Sequence, residues 1–290
     1  MFPPEILKKV KLIELSTRKI VNNLFAGEYH TAFKGQGMMF KDFREYVPGD
    51  DVRSISWALT ARTGKTFVKN FEEERELTLM LVVDISGSND FGSTKNFKGE
   101  VMSWVAGLMA FAAIKNKDQV GLLLFSDQVE HFVPPKKGQG HVQRLLRDLF
   151  YIKPKRSGTS ITSAVQFLQG FLKKRSVVLL ISDFQDKNFG QALRYLGQKH
   201  DVIACWVKDP AEENFPDLGL IDLQDPESGE IITVDSSSSS FRRNYKIQQA
   251  KFRGELEQEL RKSQVDLVPI LTQEDFLNPL IKFFQKRRRR

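Results

Sequence analysis

Cysteine is almost absent from this sequence of 290 residues, and it has no apolar run of membrane-spanning length. The one cysteine, Cys205, lies in an apolar stretch, which predicts a buried thiol and excludes a disulfide framework. No apolar stretch approaches the roughly 18 residues that span a bilayer, and the first residues lack the basic-then-apolar pattern of a signal peptide. We therefore expect a soluble, cytoplasmic protein without a transmembrane segment.

Histidine is also scarce, and the four histidines are accompanied by no nucleophile motif of the Gly-x-Ser-x-Gly type. The sequence therefore gives no support to a hydrolase triad. Acidic residues are outnumbered by basic ones, which gives a net charge of +8, and part of the excess is the closing run Lys286 to Arg290. No aromatic residues interleave with that run, so a solvated basic tail is the simpler interpretation, and nucleic-acid or anionic-membrane binding through it is an alternative.

The residues 79–84 form a run of large apolar side chains that ends in a carboxylate, Asp84, with hydroxyls following at Ser86 and Ser88. A continuous apolar run of this length is typical of a strand that is covered on both faces, as in a parallel sheet. Ligands of such sheets bind beyond the carboxyl ends of the strands. The oxygen atoms of these three residues are therefore predicted to lie at a binding edge.

Strand and helix patterns alternate along the rest of the chain, which indicates a doubly wound, mostly parallel α/β sheet flanked by helices. Further strands are predicted at 120–125, 129–133, 177–181, 202–207 and 265–271, with helices at 101–114, 141–150, 159–171, 189–199 and 275–285. A hairpin at 218–223 and 230–234, a flexible polar connector at 236–240 and a charged helix at 241–262 are predicted, within an insertion at about 210–262.

The N-terminal part has a different texture, with one amphipathic helix at 5–24 and then short, charged, glycine-bearing segments. Pro48-Gly49 suits the centre of a type II turn. The charges around it, Arg44 and Asp50 among them, favour a rigid structural loop, and a docking surface is the alternative. The acidic patch 72–76, which contains Arg75, precedes the first buried strand. We therefore predict a domain of residues 1–76, irregular and α+β, and a sheet domain of residues 77–290.

Two further oxygen-bearing residues are predicted at the same edge of the sheet, Thr159 before a helix and Asp183 after the strand at 177–181. Thr159 also has a simpler interpretation as the N-cap of that helix. Carboxylates and hydroxyls without histidine or thiolate are hard donors, which suit Mg²⁺ or Mn²⁺ better than zinc. The favoured interpretation is a metal site of Asp84, Ser86, Ser88, Thr159 and Asp183.

These residues resemble a known pattern. Asp84-x-Ser86-x-Ser88, Thr159 and Asp183 resemble the metal-ion-dependent adhesion site of von Willebrand factor A domains, which have a Rossmann-like fold. The N-terminal block resembles the bacterial family called domain of unknown function fifty-eight. Its pattern here is Gly35-x-Gly37, then Phe40-x-Asp42-x-Arg44-Glu45-Tyr46-x-Pro48-Gly49-Asp50-Asp51-x-Arg53-x-Ile55-x-Trp57, then Ala61-Arg62. Two positions depart from the family's usual residues, Met39 and Ser56, and both lie outside the predicted metal site.

The resemblance implies that serines bind the ion directly, that the threonine and aspartates bind it directly or through water, and that a partner's acidic side chain takes the open position. It also implies a MoxR-type AAA ATPase as partner, with the chain acting as an adaptor or co-chaperone. We accordingly predict a non-enzymatic, Mg²⁺-dependent protein-binding module. A metal-dependent phosphoester hydrolase is the alternative, but the haloacid dehalogenase phosphotransferases need a second carboxylate where this chain has Ser86.

Overall fold

A computed structural model describes residues 8, 11, 12, 14, 15, 39–72, 77–226 and 229–288. The chain divides into two compact units, one of Phe33–Leu77 and one of Met1–Ala32 together with Thr78–Arg290. The five described residues of the predicted N-terminal helix are helical, and most of that helix lies outside the described residues. The division into domains of residues 1–76 and 77–290 stays a prediction.

The smaller unit contains an antiparallel pair of strands, β1 (Met39–Glu45) and β2 (Phe67–Glu72), joined through a 3₁₀ turn at Val52–Ser54 and helix α1 (Trp57–Thr63). The turn at Pro48-Gly49 has the positive φ that a type II turn requires, +111° at Gly49. Arg44 donates to both carboxylate oxygens of Asp50, at 2.7 and 2.6 Å. These contacts agree with the predicted structural loop.

The larger unit is built on a six-stranded sheet with the order β10-β7-β6-β3-β4-β5, in which only β5 is antiparallel to its neighbour. The strands are β3 (Thr78–Asp84), β4 (Gln119–Phe125), β5 (Val129–Lys136), β6 (Val177–Ser182), β7 (Asp201–Lys208) and β10 (Asp266–Leu271). From β3 the chain first extends the sheet through β4 and β5 and then returns to add β6 on the other side. The order of strands therefore reverses at β3, and the crevice beyond its carboxyl end is where such sheets bind ligands.

Helices cover both faces of this sheet, which confirms the predicted doubly wound, mostly parallel α/β fold. They are α2 (Lys98–Lys115), α3 (Gln139–Tyr151), α4 (Ile161–Phe171), α5 (Gly190–Lys199), α6 (Pro210–Glu213), α7 (Ser239–Lys262) and α8 (Leu277–Arg288). Helix α2 is buried over most of its length, and β3 is buried at every position after its first. The continuous apolar run at 79–84 therefore reflects a strand covered on both faces.

The hairpin predicted between β7 and β10 is present as a separate two-stranded sheet, β8 (Leu220–Gln224) with β9 (Ile231–Asp235). Helix α7 follows it and buries Leu256 and Leu260 in the same core cluster as α4 and α5. The helix is therefore part of the main core, whereas the hairpin forms no pairs with the six-stranded sheet.

Three local predictions were wrong. Strand β5 continues through Pro134 and Pro135 to Lys136, which is possible because an edge strand has one side free of the ladder. Helix α4 begins at Ile161 with Ser160 as its N-cap, accepting from the Ser163 backbone N–H, so Thr159 is not the cap. The predicted flexible connector does not begin at Ser236, because the side chain of this residue is fully buried and donates to the Gly219 carbonyl.

Cys205 is buried in β7, as predicted. Across the described residues, no helix combines the length and the apolar character needed to cross a membrane.

Candidate metal site

Asp84 ends strand β3 and is 1% exposed. One carboxylate oxygen, Oδ1, accepts from the Ser86 backbone N–H at 2.9 Å and from the Asn89 amide at 3.1 Å. The other, Oδ2, accepts from the Ser182 hydroxyl at 2.6 Å, which joins the ends of β3 and β6. The carboxylate is thus held in one orientation by neutral donors.

The two serine hydroxyls after Asp84 lie together. Ser86 Oγ and Ser88 Oγ are 3.2 Å apart, and both residues are buried. The chain turns there into a short 3₁₀ helix, Gly87–Asp90, in which the Asn89 amide also reaches the Asp84 carbonyl at 3.0 Å. The structure therefore brings the first three predicted ligands into one cluster of oxygen atoms.

Asp183 directly follows β6, the strand beside β3, and is also 1% exposed. Its Oδ1 accepts from the Gln185 N–H at 3.1 Å, and its backbone carbonyl accepts from the Trp206 indole N–H at 3.1 Å. Phe184, the next residue, has the left-handed φ of +58°, which is uncommon for a side chain of this size. A sharply turned, buried loop therefore holds this second carboxylate.

The second oxygen of Asp183 contacts a residue that the sequence did not lead us to predict. Lys98, at the start of helix α2, is 1% exposed and its Nζ lies 2.7 Å from Asp183 Oδ2 and 2.7 Å from Glu212 Oε1. The only signal in the sequence was a lysine just before a nearly apolar helix. Ser182 and Asn89 were missed as well, although each stands beside a predicted ligand in the chain.

Thr159 lies on a loop that reaches the same edge of the sheet. Two residues before it, the Ser157 carbonyl accepts from the Gly87 N–H at 2.9 Å. The residue after it, Ser160, donates from its N–H to the carbonyl of Ser126, just beyond β4, at 2.7 Å. Thr159 is therefore carried by a loop bonded to the turn between the two serines.

The two buried carboxylates differ in charge compensation. Burial, and secondly the negative charge of Asp183, raise the pKa of Asp84 from 3.8 to about 6, and hydrogen bonds from Ser182 and Ser86 oppose that rise. In the described part of the chain, no lysine or arginine forms an ion pair with Asp84. An ionised Asp84 would accordingly be stabilised by a cation from outside the chain.

The donor chemistry fits a hard divalent ion. Asp84 offers a carboxylate, and Ser86 and Ser88 offer hydroxyls. Asn89 Oδ1 is a buried oxygen that has no hydrogen-bond partner among the described residues. Throughout the described ranges, no group of three or more His, Cys, Asp or Glu side chains could hold a metal. An ion here would have to be coordinated by hydroxyls and water besides carboxylates, which Mg²⁺ accepts and zinc disfavours.

The site has one open and one covered side. Asp84, Ser86 and Asn89 line a cavity of about 450 Å³ that extends to Glu100 and Lys153. On another side, the turn of the β8–β9 hairpin closes on Gly87, where an added Cβ would meet the Pro226 carbonyl oxygen at 2.8 Å and the Ser157 Cβ at 3.2 Å. The absence of a side chain at this position therefore lets the hairpin approach the loop of the two serines.

Comparisons with known proteins point to one family. The chain is 29% identical over 289 residues to an uncharacterized protein of Mycobacterium tuberculosis, which covers 99% of this chain and 91% of that protein. Among solved structures, the conserved hypothetical protein BatB from Bacteroides thetaiotaomicron matches with a TM-score of 0.45 and 14% identity, over 74% of this chain and all of that one. The von Willebrand factor A domain of SpRpn10 matches with a TM-score of 0.39 and 14% identity, over 72% of this chain and 95% of that one.

The pattern of the family described as protein of unknown function DUF58 matches residues 42–255. Because that match spans most of its length, the chain belongs to the DUF58 family.

Proposed function

We propose that this protein is a non-enzymatic, Mg²⁺-dependent protein-binding module whose metal site consists of Asp84, Ser86, Ser88, Thr159 and Asp183. The observation that supports it most is the buried Asp84 carboxylate. It stands beside two clustered hydroxyls, and no cation of the described chain pairs with it. Burying a charge without a partner is costly, and a bound divalent ion would remove that cost.

The residues present would leave a bound ion able to accept another ligand. Serine and threonine hydroxyls carry no formal charge, so they coordinate without neutralising a divalent cation. Among the residues that the structure describes, no cation pairs with Asp84, whereas Asp183 is already paired with Lys98. An acidic side chain of a partner protein would complete the charge balance, and the cavity beside Asp84 gives it room.

We propose a MoxR-type AAA ATPase as the partner, with this chain as its adaptor or co-chaperone. This assignment follows from the family resemblance of the N-terminal motif. The chemistry of the site supports only the broader statement that the partner offers a carboxylate.

The alternative functions receive less support. A phosphoester hydrolase of the dehalogenase type needs a second acid two residues after Asp84, and Ser86 stands there. The C-terminal basic run gives less support to binding of nucleic acid or anionic membranes than its sequence suggests. One of its arginines, Arg287, already forms ion pairs with Asp201 and Asp266 of the same chain. Residues 289 and 290 of that run lie outside the described residues.

The proposal is tested by Mg²⁺ binding and Mg²⁺-dependent capture. Isothermal titration of the metal-stripped full chain should show one Mg²⁺ site in the wild type and none in Asp84→Ala or in the Ser86→Ala, Ser88→Ala double variant. Capture of a MoxR-type ATPase from the same organism should require Mg²⁺ and disappear in the same variants. The matched control is Asp127→Ala, because Asp127 follows the neighbouring strand β4 and pairs with Arg156 instead.

Two outcomes would contradict this function. Capture that survives both a chelator and Asp84→Ala would exclude a metal-mediated contact. Turnover of a generic phosphoester that Asp84→Asn abolishes would favour the hydrolase. Loss of binding in the Asp127→Ala control as well would show that the assay reports folding and not the site.

A further inference from the structure

Lys98 is a buried cation that lies between two carboxylates, those of Asp183 and Glu212. Its ammonium lies 2.7 Å from Asp183 Oδ2 and 2.7 Å from Glu212 Oε1, and its side chain is 2% exposed. These three residues come from the first turn of α2, the loop after β6 and the short helix α6. One lysine therefore connects a predicted metal ligand to the segment that leads into the hairpin.

The charge of Lys98 is secured by its surroundings. Its ammonium donates one hydrogen bond to the Asp183 carboxylate and one to the Glu212 carboxylate, and negative charges this close favour the charged form of a lysine. Glu212 is fixed in turn, because its Oε2 accepts from the Asp209 N–H at 2.9 Å in the capping box of α6. The ammonium is thus held in place from two sides.

Both carboxylate oxygens of Asp183 consequently already accept a hydrogen bond. Its Oδ1 accepts from the Gln185 N–H and its Oδ2 accepts from Lys98. A metal ion bound between the ends of β3 and β6 would have to share this carboxylate with an ammonium group. Two cations that use one carboxylate repel each other, and this repulsion is strong in a buried site where water screens it little.

We propose that Lys98 is a resident cation that competes with the metal ion for Asp183 and thereby lowers and sets the metal affinity of the site. This inference deepens the proposed function and rests on it. The lysine neutralises one of the two carboxylates permanently, so a bound divalent ion keeps more of its positive charge. That charge is available to the acidic side chain of a partner, and the metal is bound most firmly when the partner is present.

The chain offers a matched control in a second buried lysine. Lys208, at the end of β7, is 6% exposed and pairs with Glu213, and its ammonium lies 4.2 Å from the centre of the Trp206 ring. It resembles Lys98 in burial and in having a glutamate partner, but none of its described ion pairs involves Asp183. Lys208→Met therefore removes a buried charge without changing the compensation of the predicted ligand.

The experiment is isothermal titration of the metal-stripped full chain with Mg²⁺, comparing the wild type with three variants. Lys98→Met should bind Mg²⁺ about tenfold more tightly or better, because a nearby positive charge is removed. Glu212→Gln should bind Mg²⁺ more weakly than the wild type does. The charge of Lys98 is then no longer shared with Glu212, so its ion pair with Asp183 is stronger. Lys208→Met should bind as the wild type does.

A second measurement covers the case in which Lys98→Met folds poorly in the titration. Thermal unfolding with and without Mg²⁺ should show a larger rise of Tm in Lys98→Met or Lys98→Gln than in the wild type, because the ion then replaces the lost ammonium. Equal or weaker Mg²⁺ binding together with an equal or smaller rise of Tm would overturn the inference and show that Lys98 positions Asp183.

The two proposals fail differently. Absence of Mg²⁺ binding in every chain would overturn the proposed function and the inference together. Binding in the wild type that Lys98→Met leaves unchanged would overturn the inference alone. Binding in Lys98→Met but not in the wild type would support the competition and overturn the proposed function of the native site.

Discussion

The ends of β3 and β6 are neighbours in one sheet, each followed or closed by a buried aspartate, yet the two carboxylates are stabilised by opposite means. Asp84 is surrounded by neutral donors, namely the hydroxyl of Ser182, the amide of Asn89 and a backbone N–H. Asp183 contacts the buried ammonium of Lys98. Within the described residues, the end of β6 thus contains a cation and the end of β3 contains none.

This difference shows that two carboxylates at neighbouring strand ends can have different kinds of partner within one protein. A buried charge needs compensation, and the protein can supply it internally or leave it to an ion from solution. Where an internal cation is present, as beside Asp183, an external ion has to share the carboxylate with it. Where only neutral hydrogen bonds are present, the carboxylate is the better candidate for binding an external cation.

The largest expected effect comes from removing the internal cation. In a chelator, Lys98→Met should lower the free energy of unfolding by about 3–5 kcal/mol, because it leaves the buried Asp183 and its neighbour Glu212 without their partner. Urea unfolding at pH 7 measures it. Lys208→Met should cost less, because its partner Glu213 is 37% exposed and can be solvated by water. Equal losses in the two variants would show that the burial of Asp183 adds nothing to the cost of removing its ion-pair partner.

The next effect concerns Asp84 and pH. Its pKa is raised from 3.8 to about 6 in the folded chain, so the folded state holds the proton more tightly than the unfolded state does. The protonated Asp84 therefore contributes to the free energy of unfolding, and this contribution is fully present below about pH 4. It is lost as the pH rises through about 6, and the loss is roughly 3 kcal/mol in the metal-free protein.

Asp84→Asn should abolish this loss, so the variant should be more stable than the wild type at pH 7 in a chelator. Urea unfolding of both chains between pH 4 and pH 8 checks it. A wild type whose stability does not differ from that of the variant across this range would show that Asp84 is compensated by a group on the chain after all.

A smaller effect should follow from the hydroxyl that joins the two ends. Ser182 donates to Asp84 Oδ2 at 2.6 Å and accepts from the Phe184 N–H at 2.9 Å. Ser182→Ala leaves both groups buried without this partner, and we expect a loss of about 1–3 kcal/mol in the free energy of unfolding. The pKa of Asp84, followed by NMR, should rise further, whereas a structural role without influence on the carboxylate would leave it unchanged.

The smallest effect tests how closely the loop after β3 is enclosed. Gly87→Ala would place a methyl group 2.8 Å from the Pro226 carbonyl oxygen, and we expect a loss of about 1–2 kcal/mol in the free energy of unfolding. Gly140→Ala is the control, because a Cβ there has open space. Thermal unfolding of the two variants measures the difference, and equal Tm values would mean that the hairpin turn moves aside at no cost.

Much of the site could be predicted because its members follow strands that are visible in the sequence. The apolar runs that end at Asp84 and before Asp183 mark two buried strands, and parallel strands bring their carboxyl ends to one edge. The hydroxyls of Ser86 and Ser88 follow at fixed short spacings from Asp84. The alternative interpretation of Thr159, as an N-cap, was wrong because Ser160, one residue later, accepts from the Ser163 N–H in its place.

Lys98 and Glu212 could not be predicted, because they are separated from their partners by long stretches of chain. Lys98 lies 85 residues before Asp183 and 114 residues before Glu212. A lysine at the start of a helix has a ready explanation as a solvated residue, and no spacing rule connects it to a distant aspartate. Its burial depends on how α2 and α6 pack around the loop after β6.

The sequence by itself determined the sheet, the order of strand and helix and the oxygen-rich residues at one edge, because these depend on local patterns of apolar and polar side chains. The tertiary structure decided which of the two carboxylates at that edge lies beside a cation. Electrostatic compensation acts between residues that are close in space and distant in the chain. Only the folded protein therefore shows that Asp183 has a cation beside it and that, in the part of the chain that is described, Asp84 has none.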